Sequence, residues 1–114
     1  MGRLTTHVLD TASGRPALGV RVVLRRQDED AALAEAMTNA DGRLDQPLLA
    51  ADAFKAGRYE LTFHVGDYFR AQGVGLADPA FLDVIPIRFA MAQDSHYHVP
   101  LLVSPYGYST YRGS

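Results

Sequence analysis

The chain has 114 residues, a net charge of −2, 47% hydrophobic and 21% charged residues, and no cysteine. This is the composition of an ordinary globular protein, and the length predicts one domain over residues 1–114. The weakly acidic balance argues against nucleic-acid and membrane-surface partners, which need a clustered basic excess. The missing thiols exclude disulfides and thiolate metal sites. No leader pattern and no apolar run near ~18 residues is present, so we expect a cytoplasmic protein.

Apolar and polar residues alternate over several short stretches, which is the pattern of half-buried β-strands. The predicted strands are, in chain order, residues 4–10, 19–26, 58–65, 81–89 and 95–103, followed by a last strand after Pro105. Residues 67–72 predict one short helix that ends at Gly73. Pro86 and Pro100 should lie at sheet edges or bulges, because proline cannot donate a backbone hydrogen bond.

Residues 31–37 carry conflicting signals. Their alanines favour a helix, but so short a helix is unstable by itself, and we expect an edge strand there. Residues 11–17 and 39–43 predict turns, the second with Asp41-Gly42 as its signal. About seven or eight short strands separated by regular turns predict an all-β protein built as a β-sandwich.

Three histidines are candidates for a shared site. His96 and His98 are two positions apart, so on a strand both side chains lie on the same face. His7 could join them if the first predicted strand lies next to theirs. Imidazoles exchange protons near neutral pH, which suits acid–base catalysis, although surface or interface histidines without any chemistry would show the same pattern. His64 has no partner motif, and we expect no role for it in chemistry.

Other kinds of site receive less support from the sequence. The His-x-His spacing would fit a pair of zinc ligands, but no Asp, Glu or Cys is placed as a further ligand, so we expect no metal and no other cofactor. Arg43, in the predicted turn, and Arg112 are the remaining cationic candidates. No glycine-rich phosphate loop is present, and no signature of a nucleophilic triad surrounds Ser114.

Several segments resemble the 5-hydroxyisourate hydrolases, the transthyretin-related enzymes of purine degradation. The similar segments are residues 7–10, 14–17, 39–43, 64–69, 81–89 and 96–102, together with Tyr111-Arg112-Gly113-Ser114, which is similar to the C-terminal signature of that family. Transthyretin, a hormone carrier on the same scaffold, has a lysine where this chain has His7. It also lacks the His-Tyr-His motif and the C-terminal signature. The resemblance therefore favours the enzyme over the carrier.

The resemblance implies a transthyretin-like, two-sheet antiparallel β-sandwich of about eight strands with one short helix. It also implies a homotetramer with active sites in a channel between two dimers. The implied substrate is 5-hydroxyisourate, whose six-membered ring is opened by hydrolysis. The residues that match the family's active site are His7, Arg43, His98 and the stretch from Tyr111 through Arg112 and Gly113 to Ser114. By strand alternation, Leu9 and Pro100 share the face of His7 and His98 and could line the channel.

In such a hydrolysis His7 and His98 would transfer protons, and Arg43 with Arg112 would hold the planar substrate. Ser114 would position water or orient a histidine through its hydroxyl or its carboxylate. The sequence leaves open which histidine is the base and which is the acid. Two alternatives remain: a module that binds thyroxine-like or other aromatic ligands without chemistry, and a zinc-dependent hydrolase with His7, His96 and His98 as metal ligands.

Overall fold

The computed structural model describes residues 2–114. In this range the chain forms strands β1 (Arg3–Thr5), β2 (Val8–Asp10), β3 (Arg15–Pro16), β4 (Arg21–Arg26), β5 (Ala32–Met37), β6 (Leu49–Ala50), β7 (Gly57–His64), β8 (Val84–Met91), β9 (His96–His98), β10 (Leu101–Ser104) and β11 (Gly107–Thr110). A 3-10 turn covers Ala51–Ala53, and the α-helix α1 covers Val65–Ala71. No helix in residues 2–114 is long and apolar enough to cross a membrane.

The strands form two layers, which confirms the predicted sandwich. One layer is an antiparallel sheet in the order β5-β4-β7-β8. The other contains β6-β1-β9 and β11-β10-β2-β3. These two groups are continuous, because the Val99 N–H donates to Thr5 O at 3.0 Å and the Leu101 N–H donates to His7 O at 2.9 Å.

The core lies between the layers. The first layer contributes fully buried Val22, Leu24, Leu61 and Phe63, and the second contributes Leu4, Val8, Leu101 and Val103. Burying each such side chain stabilises the fold by about 1.5–3 kcal/mol. The apolar face of the second layer is therefore fixed by its packing against the first layer. The alternate side chains of its strands face away from this core.

The strand directions correct one expectation. The pairs β1·β9 and β2·β10 are parallel, so the sandwich is not antiparallel throughout. Parallel neighbours require a long connection, and here most of the chain separates the two partners of each pair. The parallel register sets Thr5 opposite His98 and Leu9 opposite Leu102.

Two predicted strands are interrupted at the same level of the sheet. Residues 4–10 are divided into β1 and β2 by Thr6 and His7, and residues 95–103 are divided into β9 and β10 by Val99 and Pro100. Pro100 has no N–H to donate, as expected for a proline at an irregularity. The Thr6 hydroxyl donates to Val99 O at 2.6 Å and joins the two interruptions.

Other elements match or extend the predictions. Residues 32–37 form the expected edge strand β5, because its hydrogen bonds to β4 outweigh a weak helical preference. The helix begins at Val65, two residues before the predicted start, and Gly73 follows it with φ of +80°. The short strand β3 lies in a segment predicted as a turn, and β6 was not predicted.

A buried carboxylate links the second layer to the helix. Asp10, at the end of β2, accepts the backbone N–H groups of Ala12 at 3.0 Å and Ser13 at 3.1 Å. Its other oxygen accepts the hydroxyl of Tyr68 in α1 at 2.8 Å. Burial, with this hydrogen bond and the neighbouring charge, raises the pKa of Tyr68 to about 12.

Replacing Tyr68 by Phe should lower the free energy of unfolding by about 1–3 kcal/mol, because a buried carboxylate oxygen loses its hydrogen-bond donor. Urea denaturation measures the change. Tyr106→Phe is the matched control, since the Tyr106 side chain is exposed and its change should have little effect. Equal stability of the Tyr68→Phe variant and the parent would contradict a structural role for the contact.

Candidate active site

A cavity of about 460 Å³ lies where β1, β9, the loop that follows Arg43 and the stretch from Tyr111 to Ser114 meet. It brings together six of the residues predicted to form the site: His7, Arg43, His98, Tyr111, Gly113 and Ser114. Thr5 and His96 also line it. This volume is in the range of small-molecule sites.

The imidazoles are joined by hydrogen bonds in one array. Nδ1 of His7 lies 2.7 Å from Nε2 of His98, and the two rings meet edge to edge, with centroids 4.9 Å apart and planes inclined by 29°. Nδ1 of His98 lies 2.7 Å from Oγ1 of Thr5, which lies 2.9 Å from Nε2 of His96. Both nitrogens of His98 are therefore occupied by protein groups.

The parallel pairing explains why these side chains meet. Thr5 is the direct neighbour of His98, and Arg3 is the neighbour of His96. His96 and His98 lie on one face of β9, as alternation predicts. His98 is buried, with 8% of its surface exposed, whereas His96 is exposed.

Burial and nearby positive charge keep the two contacting imidazoles neutral. The pKa of His98 is lowered to about 4 by burial and then by His7, Arg43 and His96. Burial and then Arg43 lower the pKa of His7 below its usual 6.5. A neutral imidazole has one nitrogen that can accept a proton, so this pair can begin a reaction as a base.

A tight turn places Arg43 beside His7. The side-chain oxygen of Asn39 accepts the N–H groups of Asp41 at 2.9 Å and Arg43 at 3.1 Å. Gly42 has φ of +72°, and a Cβ there would lie 2.5 Å from Val8 O, so glycine is required. The Val8 N–H donates to Gly42 O at 2.8 Å and ties the turn to β2. The predicted Asp-Gly turn is confirmed.

The stretch from Tyr111 to Ser114 closes one side of the cavity. The Gly113 N–H donates to His98 O at 2.7 Å. A Cβ at Gly113 would lie 2.7 Å from Cδ2 of His98, so only glycine can pack this closely on the imidazole. Tyr111 and Ser114 lie on either side of this contact and line the cavity.

Arg112 is not among the residues that line this cavity. Its guanidinium carbon is 4.2 Å from the centre of the Tyr97 ring, and Nη2 is 3.5 Å from His96 O. Tyr97 is on the opposite face of β9 from the histidines, so Arg112 is placed to hold the segment down. Leu9 and Pro100 are also not among the residues that line the cavity. Substrate contacts for these three residues stay predictions.

Thr5 is the residue that sequence reasoning missed. Alternation along the predicted strand 4–10 puts Thr5 on the same face as His7, which was the available signal. The contact between Thr5 and His98 depends on the strand register, which alternation along one strand does not give.

The described residues do not form a zinc site. No group of three or more His, Asp or Glu side chains in residues 2–114 is arranged to hold a metal ion. Both His98 nitrogens instead take part in hydrogen bonds with Thr5 and His7.

The fold and this cavity define a small β-sandwich protein with two contacting histidines whose pKa values are lowered. The sequence profile of the HIUase/Transthyretin family matches residues 4–113, and the chain belongs to that family. A 5-hydroxyisourate hydrolase of Mesorhizobium japonicum is 64% identical to it, over 99% of this chain and 93% of the relative.

Solved structures agree with this assignment. The 5-hydroxyisourate hydrolase of Klebsiella pneumoniae is 42% identical, with a TM-score of 0.84 and complete coverage of both chains. Sea bream transthyretin in complex with thyroxine is 28% identical, with a TM-score of 0.84 over 97% of this chain and 94% of that one. (S)-allantoin synthase is 48% identical, with a TM-score of 0.92 over 99% of this chain. The chain spans only 44% of the length of that synthase.

Arg43→Gln should raise the pKa values of His7 and His98, because it removes one of the positive charges that depress them. Both values should stay below 6.5, since burial is the largest cause and remains. Following the imidazole ring protons by NMR during a pH titration measures the change. Arg58→Gln, on β7 of the other layer, is the control and should leave both values where they are. Unchanged or lower values in Arg43→Gln would refute this account of the electrostatics.

Proposed function

We propose that this chain hydrolyses 5-hydroxyisourate, opening its six-membered ring to 2-oxo-4-hydroxy-4-carboxy-5-ureidoimidazoline in urate degradation. The observation that carries the proposal is the 2.7 Å contact between His7 and His98 beside Arg43 in a polar cavity. The relatives named as 5-hydroxyisourate hydrolases support the same activity. A carrier would need no pair of imidazoles held neutral and in contact.

The hydrogen bonds suggest which histidine touches the reacting atoms. His98 has both nitrogens engaged by Thr5 and His7, whereas only Nδ1 of His7 is engaged by a group in residues 2–114. Nε2 of His7 is therefore the atom we assign to accept a proton from the attacking water. His98 orients the His7 ring and stabilises its proton-accepting tautomer, as the orienting group does in other catalytic arrays.

The reaction then follows from the charges that must develop. The water oxygen bonds to the carbonyl carbon of the ring amide, and its proton goes to Nε2 of His7. The carbonyl oxygen becomes negative, and the permanently charged guanidinium of Arg43 stabilises it or orients the substrate. The C–N bond breaks, the nitrogen takes a proton from Nε2–H of His7, and the new carboxylic acid ionises. Ser114 and Tyr111 line the cavity, and we propose that the Ser114 hydroxyl or carboxylate and the Tyr111 hydroxyl bind substrate or water.

Replacing His7 or His98 by Asn should lower turnover by about 10²-fold or more, the range of a general acid–base group, with the fold retained. The assay is the decay of freshly generated 5-hydroxyisourate, with its spontaneous decay subtracted. His64→Asn is the matched control, because His64 precedes α1 and does not line the cavity. Equal losses in all three variants would rule out the assignment. Saturable binding of an aromatic ligand without ring opening would favour the carrier function.

We further propose that the chain assembles as a homotetramer. β8 is one edge strand of the first layer and β11 is one edge strand of the second, and open edges readily pair with another chain. Large aromatic side chains are also exposed: Phe81, Tyr106, Tyr108 and Tyr111. The single domain over residues 1–114 and the cytoplasmic location likewise stay predictions.

Sedimentation at micromolar concentration should give a particle of four 12.5 kDa chains. The reason is that unpaired strand edges and exposed aromatic rings are stabilised when a second copy covers them. A stable particle of 12.5 kDa would contradict the tetramer and the channel between dimers.

A further inference from the structure

An unbroken hydrogen-bonded array joins four residues that all line the cavity, and the last of them is exposed to solvent. It begins at His7, passes through buried His98 and the Thr5 hydroxyl, and ends at exposed His96. The three links measure 2.7, 2.7 and 2.9 Å between heavy atoms, which are good hydrogen-bond distances. Each interior member has one group that can donate and one that can accept.

We propose that Thr5 and His96, together with His98, form a proton relay that connects Nε2 of His7 to solvent. The proposal rests on the hydrolytic function, because it names the path by which the proton taken from water leaves the site. It also assigns a task to two residues, Thr5 and His96, that the acid–base pair alone does not need.

The array has two complementary proton arrangements. In the first, Nδ1–H of His7 donates to Nε2 of His98, Nδ1–H of His98 donates to Thr5, and the Thr5 hydroxyl donates to Nε2 of His96. Nε2 of His7 then carries a lone pair and can act as a base. His96 is neutral, with its proton on Nδ1.

Protonation of His7 at Nε2 converts the first arrangement into the second. The Nδ1 proton of His7 moves to His98, the Nδ1 proton of His98 moves to Thr5, and the Thr5 proton moves to Nε2 of His96. His96 is then an imidazolium, and it releases its Nδ1 proton to solvent. His7 is left with Nε2–H, which can protonate the departing nitrogen, and the reverse sequence restores the first arrangement.

The surroundings of His98 favour transfer of the proton through this residue over a lasting positive charge on its ring. An imidazolium at His98 is opposed by burial and by the neighbouring guanidinium of Arg43, so the proton would not rest there. In the relay His98 changes its tautomer but stays neutral. The only member that carries the charge is His96, which is exposed and can be solvated. One histidine, His7, can therefore serve as base and acid in turn.

Thr5→Val keeps the side-chain shape and removes the hydroxyl that links His98 to His96. We expect kcat to fall about 10-fold or more, less than the ~10²–10⁴ of losing the acid–base group itself. Added imidazole buffer should restore much of the lost rate, because it can exchange protons at the interrupted array. Thr5→Ser retains the hydroxyl and should stay close to the parent, and His96→Asn should behave as Thr5→Val does.

Thr11→Val is the control for removing a hydroxyl. The Thr11 hydroxyl donates to Val103 O at 3.1 Å and does not line the cavity, so this variant should keep its rate at every buffer concentration. The kcat of each variant is measured against buffer concentration, with the enzyme-free decay subtracted at each point. Activity of the parent tests the proposed hydrolysis, whereas the variant-to-parent ratio tests only the relay.

Each outcome decides the question. A slow Thr5→Val variant that buffer rescues, with Thr5→Ser near the parent, supports the relay. A Thr5→Val variant as fast as the parent overturns it. So does a slow variant that buffer does not rescue, because Thr5 would then only position His98. Nitrogen NMR of the imidazoles, which needs no substrate, should show a changed tautomer of His98 in Thr5→Val. An unchanged tautomer also counts against the relay.

Discussion

The parallel register between the N-terminal strands and the strands that carry the His-Tyr-His motif is the constraint on which the site depends. It sets β1 against β9, so that Thr5 lies opposite His98. His7 is two residues further along the chain and contacts the same imidazole ring. The turn that carries Arg43 and the segment that carries Gly113 are each attached to these strands by one isolated bridge. A shift of one residue in this register would turn the side chains of the shifted strand to the other face of the sheet, and the site would no longer form.

Burying imidazoles in this place has an electrostatic cost that depends on pH. The pKa of His98 is about 4 in the folded chain, against 6.5 for an unperturbed histidine. Between these values the unfolded chain binds more protons than the folded one. The contribution of this group to stability is therefore fully present above pH 6.5 and is lost as the pH falls towards 4. The burial that keeps the His98 imidazole neutral near pH 7 therefore also lowers the stability of the folded chain in acid.

Local patterns predicted the longer strands, the short helix, the Asp-Gly turn and the shared face of His96 and His98, because these depend on near neighbours in the chain. They did not predict the parallel pairing or the common interruption of two strands, which depend on partners far away in sequence. The position of Arg112 could not be predicted for the same reason. Its contact with Tyr97 lies on the far side of β9, and alternation says nothing about a segment beyond the last strand.

The His7–His98 contact joins residues 91 positions apart, nearly the full length of the chain. Contacts between residues so far apart in sequence form slowly, because the chain loses entropy when it closes a large loop. This cost comes before the contact contributes any stability. Sheets dominated by such pairings fold on the order of milliseconds to seconds. We therefore expect the His7–His98 contact to form after the β4–β7–β8 sheet during folding. A partly folded chain can have a well-packed β4–β7–β8 sheet and still contain no acid–base pair.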